Sequence, residues 1–230
     1  MSRRVGHTAG RFGVLVGVVL VAACVGEVAE ESVDPRLQNP LLRASQFNET
    51  APPTFRANFE TSKGEFVIEV HREWAPLGAD RFYNLVKRGW YDGVRFHRVV
   101  KDFMVQWGIH DEPYVNRIWQ DKFLTDDPVG QTNSRGRVSF AKAGRHSRTV
   151  QVFINFKDNA GLDGNGFSPF GEVVEGMDVV DGLYADYGDG PPVGEGVYQA
   201  MAMARGAEYY DEEFPELDRI VRATLVNAGS

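Results

Sequence analysis

The chain has 230 residues, 43% hydrophobic and 25% charged, an ordinary globular balance that allows one sizeable core and suggests one domain. A formal charge of −7 with no cluster of lysine or arginine excludes the electrostatic footprint of a nucleic-acid binder. One cysteine excludes an intramolecular disulfide, and five scattered histidines without a His-Glu-x-x-His spacing give no support to a metal hydrolase; neither metal nor cofactor is expected.

In chain order, residues 1–23 read as a signal peptide: a basic start, then the apolar run GVLVGVVLVAA, too short to span a bilayer as a helix. Val21-Ala22-Ala23-Cys24 resembles the bacterial lipobox, in which the cysteine is lipidated and becomes the new N-terminus. Cys24 is therefore the expected lipidation site of an exported, membrane-anchored protein of the periplasm or outer face; a plain secretory peptide that happens to contain a cysteine is the alternative. Residues 24–54 show no sustained period and carry four prolines, which predicts a tether whose later part lies along the domain surface. FRANFET and GEFVIEV alternate apolar and polar residues about Ser62-Lys63, the pattern of a hairpin. Pro76 opens a helix whose face is Ala79, Phe82, Tyr83 and Val86, and Gly89 ends it. Short strands follow around 94–100, 103–106, 137–140, 150–155 and 170–174. MDVVDGLY is a second helix. After an insertion at about 186–216 rich in glycine, proline and acidic residues, 220–226 supplies a closing strand. The expected class is mainly β, an eight-stranded antiparallel barrel capped by two helices over residues 55–230.

The segment RFHRVVKDFMVQWG, Arg95 to Gly108, sets Arg98 and Gln106 among bulky apolar residues, where polar groups must find partners. Taken singly, Phe103, Met104 and Phe153 are ordinary core residues, Arg98 an ion-pair partner and Gln106 a strand-edge cap. Their joint spacing says more. FHRVVKDFMVQWG resembles the first signature of cyclophilins, the peptidyl-prolyl cis/trans isomerases, and SFAKAGRHSRTVQVFI resembles the second. ADRFYNLVKRGWYDG, LDGNGFSPFGEVVEGMDVVD and the final strand extend the resemblance from Phe55 to Val226. It implies a barrel with the substrate groove on its outer face and proline-containing polypeptides as partners. Arg98 would be the catalytic residue; Phe103, Met104 and Phe153 would receive the proline ring, Gln106 would hold a substrate carbonyl, and Ala141, Gln151 and Leu162 would line the groove. His97 is expected to be a packing residue, since bond rotation needs no proton transfer.

Departures from the family pattern keep a second class open, a chaperone or assembly factor that binds proline segments with little turnover. Lys101-Asp102 replace Pro-Gly, Lys142 replaces an asparagine, and Trp107 replaces a glycine, where it is expected to close one end of the groove. Cyclosporin, which many eukaryotic cyclophilins bind, is expected to bind weakly or not at all. Gly161 stands where the family has a tryptophan, and the place of a nearby histidine falls to Gly166 or Phe167.

Overall fold

The computed structural model describes residues 38–226; the leader, Cys24 and residues 227–230 lie outside the described residues. The first two strands, β1 (Thr54–Thr61) and β2 (Gly64–His71), form the expected hairpin, with alternate residues buried along both. Phe59 and Phe66 face each other across it with ring centroids 5.0 Å apart. The six further strands are β3 (Arg98–Val100), β4 (Met104–Trp107), β5 (Arg137–Phe140), β6 (Val152–Asn155), β7 (Pro169–Glu175) and β8 (Ile220–Val226). All pair antiparallel, in the order β3-β4-β6-β5-β7-β2-β1-β8. The approach to β3 also bonds to the approach to β8: Phe96 N–H donates to the Asp218 carbonyl, and Ile220 N–H to that of Val94. These bonds tie together the two ends of the curled sheet and satisfy backbone groups that an open edge would expose.

Helix α1 (Pro76–Lys87) buries Ala79, Phe82, Leu85 and Val86, with Phe82 packed on Phe170 at 4.9 Å. Its own N-cap residue, Ala75, has no side-chain acceptor; Asp127 serves from a distant loop, accepting the N–H groups of Leu77 and Gly78 at 3.0 and 2.9 Å. Helix α4 (Met177–Asp181) lies by the opposite end of β2, where Val179 closes on Gly64. These are the two expected capping helices. Among the described residues there are four more: α2 (Pro113–Trp119), α3 (Gly161–Gly164), α5 (Gln199–Arg205) and α6 (Ala207–Glu213).

Trp107 corrects an expectation. It does not border the groove but is fully buried in the barrel, edge-on to Phe59 at 5.9 Å and Phe96 at 5.6 Å. The reason is the period of a strand: on β4, Met104 and Gln106 face outward, so Val105 and Trp107 must face inward.

Before β1, residues 38–53 run against the domain through two single-turn 3-10 helices and bury Leu41, Phe47 and Ala51. Trp119 Nε1 donates to the Leu41 carbonyl at 2.7 Å, and Phe47 packs edge-on against the same indole. The insertion packs a second, smaller core of Val197, Ala202, Tyr209, Tyr210 and Phe214 against Ile109 and Leu217. Gly206 separates α5 from α6 at φ +60, and a side chain there would strike the Asp111 carbonyl.

Candidate active site

Strand register sets the site. Arg98 pairs with Gln106 on β4, and Gln106 pairs with Phe153 on β6, so the three side chains share one level and one face of the sheet. Met104 and Gln151 lie two residues from Gln106 and Phe153 along the chain, on the same face. The turn between β3 and β4 brings Phe103 beneath the guanidinium, whose carbon lies 5.8 Å from the ring centroid. In that turn Asp102 adopts φ +59, a left-handed conformation that aspartate tolerates better than most side chains. Ala141 N–H donates to the Gln151 carbonyl at 2.9 Å, continuing the pairing of β5 with β6 to the rim, while Leu162 comes from α3.

Arg98, Phe103, Met104, Gln106, Ala141, Gln151, Phe153 and Leu162 thus line one open groove of about 590 Å³. Its floor is apolar, with Met104 and Phe153 almost completely buried. A polar chain runs along one wall: Arg98 Nη1 donates to Gln106 Oε1 at 3.1 Å, and Gln106 Nε2 donates to Gln151 Oε1 at 2.7 Å. His97 is buried beside Arg98, with its ring against the Gln151 side chain. Burial first, and the Arg98 charge second, push its pKa down to about 3, so the ring is neutral near pH 7. No group of three or more metal-ligating side chains occurs among the described residues.

The groove is bordered by further residues. Phe167, rather than Gly166, takes the wall position left open above: its ring meets that of Phe153 edge-on at 5.7 Å. The side chain of Lys142 is mostly covered beside it, donating to Asp126 Oδ2 and the Gly166 carbonyl, both at 2.8 Å, with Nζ 5.3 Å from the Phe167 ring centroid. Phe123 and Gln120 add to the rim, and Gln199 and Met203 arrive from α5. The contribution of α5 carries no local sequence signal, because it depends on how the insertion folds back.

A family profile, cyclophilin type peptidyl-prolyl cis-trans isomerase, matches residues 56–197. The chain belongs to this family. It is 37% identical over 131 residues to the peptidyl-prolyl cis-trans isomerase cyp18 of Streptomyces antibioticus, covering 54% of this chain and 79% of that one. Against peptidyl-prolyl cis-trans isomerase B of Escherichia coli the identity is 34% over 131 residues, 54% of this chain and 80% of that one. A solved Cryptosporidium parvum cyclophilin type isomerase superposes with a TM-score of 0.57 at 18% identity, over 76% of this chain and 99% of that one, a likeness of fold. In this cyclophilin the family profile ends just before α5, so α5 and α6 lie beyond the matched region.

Proposed function

We propose that this cyclophilin accelerates rotation about an X–Pro bond held across the groove, with Arg98 as the group that stabilises the twisted amide. The rotation is slow because partial double-bond character sets a barrier of about 18–20 kcal/mol, even though proline cuts the preference for trans to about 0.5–1 kcal/mol and so populates both isomers. Twisting breaks the resonance and returns an electron pair to the prolyl nitrogen. A donor aimed there therefore binds the twisted state more tightly than either planar one. The observation that carries this reading is the shared level of Arg98, Gln106 and Phe153. The proline ring fits over Phe103, Met104 and Phe153, which puts its nitrogen within the reach of Arg98. Gln106, with one Nε2 hydrogen given to Gln151, retains another for a substrate carbonyl and so fixes one side of the rotating bond. No bond is made or broken, and no acid or base is required.

The test is the rate of X–Pro isomerisation in a short peptide with the purified domain. Catalytic acceleration supports the reading; binding with an unchanged rate would instead make the protein a proline-segment chaperone.

The clients in this reading are exported polypeptides, met by a domain tethered outside the cytoplasm through Cys24. The leader pattern and VAAC support this, and two or more acyl chains would be needed for stable anchoring. Intact-mass analysis of the membrane fraction should find a lipid-modified N-terminal Cys24; an unmodified N-terminus elsewhere, in soluble protein, overturns the anchor.

A further inference from the structure

The loop joining α4 to α5 reaches Arg98 through Asp189. Asp189 receives Arg98 side-on, Nε donating to Oδ1 and Nη2 to Oδ2, both at 2.8 Å. The partners are 91 residues apart in sequence, and both side chains are largely covered, 26% and 22% exposed. The loop is shaped around this carboxylate. Gly190 N–H donates to its Oδ1 at 2.8 Å, and Gly196 N–H to the Asp189 backbone carbonyl at 2.9 Å. A side chain at Gly190, Gly194 or Gly196 would bring its Cβ to 2.2, 2.3 or 2.6 Å from a backbone oxygen, so the tight path requires glycine at all three. On either side the loop is fastened to the second core: Tyr187 meets Phe214 edge-on at 5.0 Å, and Val197 is buried.

We propose that Asp189 is a positioning residue for the isomerisation, fixing the plane of the Arg98 guanidinium so that its remaining N–H groups face the groove. The inference rests on Arg98 as the acting donor. A guanidinium carries five N–H groups in a rigid plane. Asp189 takes that of Nε and one of Nη2, and Gln106 takes one of Nη1, which leaves one on each terminal nitrogen for substrate. Arginine in a groove otherwise samples many rotamers, and a donor stabilises a transition state only when held in the required direction. Bidentate pairing to a carboxylate that is itself held in place supplies that direction before substrate arrives.

Isomerisation of an X–Pro peptide by Asp189→Ala, Asp189→Asn and Asp189→Glu tests the proposal, with thermal unfolding to verify folding. The expected result for Asp189→Ala and Asp189→Asn is kcat lower by about three- to tenfold with KM changed less than about twofold, and substantial recovery in Asp189→Glu. In an Arg98→Ala background, with the residual rate read at high enzyme concentration, Asp189→Ala should have no further effect, because coupled residues are not additive. A folded Asp189→Ala protein with unchanged or raised kcat overturns the proposal, the raised rate showing that Asp189 restrains Arg98 rather than aims it. An equal loss in both backgrounds also overturns it, assigning Asp189 to the structure of the loop. If Arg98→Ala itself keeps full activity, the reading of Arg98 fails instead, a distinct result.

Discussion

Replacing Arg98 by alanine removes the acting donor while sparing the core, because the side chain lies on the outer face of the sheet and is 26% exposed. Deleting one preorganised donor from a water-excluded site lowers kcat by about a hundred- to a thousandfold. Here the groove is open, and water entering the space left by the guanidinium can donate in its place, which argues for the lower end of that range or below. The expected loss in kcat/KM is at least about tenfold, equivalent to about 1.4 kcal/mol of transition-state stabilisation. Peptide affinity should change much less, since the floor of Phe103, Met104 and Phe153 is untouched. The domain should stay folded: Asp189 loses its cation but is 22% exposed and keeps the Gly190 N–H, so water can solvate it. Rates from exchange spectroscopy on an X–Pro peptide, taken with affinities from titration, separate these effects. A folded Arg98→Ala protein with undiminished kcat/KM would remove the arginine from the mechanism.

Trp107→Ala should destabilise the domain by about 3–5 kcal/mol, the usual range for emptying a large aromatic site, and lower Tm by about 10 °C or more. An unchanged Tm with altered peptide affinity would return Trp107 to the groove. For His97, the folded state refuses a proton that the unfolded chain accepts below about pH 6.5, so its neutral burial favours folding fully above that pH and progressively less as pH falls towards 3. Urea unfolding of the wild type should therefore lose stability between pH 6.5 and 4, by up to about 1.4 kcal/mol per pH unit from this residue, with His110, pushed down to about 4 by burial, adding in the same direction. His97→Gln should flatten the slope by nearly one proton, and an identical slope would refute the buried neutral ring. Cyclosporin should inhibit the wild type only weakly, because losing an aromatic donor at a hot spot removes about 2 kcal/mol, roughly thirtyfold in affinity. Gly161 has open space around it, so Gly161→Trp should fit and partly restore inhibition, whereas nanomolar inhibition of the wild type would show that another residue replaces the indole.

The parts of this cyclophilin visible in its sequence are those whose order is local. Alternation along β1 and β2 predicts the hairpin because one face of each is buried, and the helical spacing of Ala79, Phe82 and Val86 predicts α1 for the same reason. Arg98, Gln106 and Phe153 are legible as a set once β3, β4 and β6 are placed, since register then puts them at one level. Helix α2 was hidden: its seven residues are too few for a clear period, and it is held by the contacts of Trp119 with Leu41 and Phe47 and by α5. Helices α5 and α6 were hidden by the glycine, proline and acidic residues around them, although QAMAMAR has strong helix propensity. The inward direction of Trp107 was readable from the outward direction of Gln106, one residue away. Nothing local announces Asp189, whose partner is 91 residues distant.

The two partners of Arg98 come from different parts of the chain, and this divides the work of holding the site. The barrel fixes one edge of the Arg98 guanidinium through Gln106, whose backbone is paired in β4 and whose amide is held by Gln151. The insertion fixes the other edge through Asp189. It is joined to the same stretch of chain three residues earlier, where Arg95 pairs with Asp111 and Asp211 and lies 5.0 Å from the Tyr210 ring centroid. Arg95 is nearly buried but Asp211, its carboxylate partner from the insertion, is largely exposed, and Asp111 remains to pair the cation if Asp211 leaves, so this pair holds the insertion only weakly. The second core is small, with seven buried apolar residues, and sub-global opening takes place first where buried apolar contacts are fewest. Opening of that unit would release Asp189 while leaving the floor of Phe103, Met104 and Phe153 in place on the barrel. The groove would then still hold a proline ring while its donor lost direction, so the strength of peptide binding and the rate of bond rotation depend on different parts of the chain.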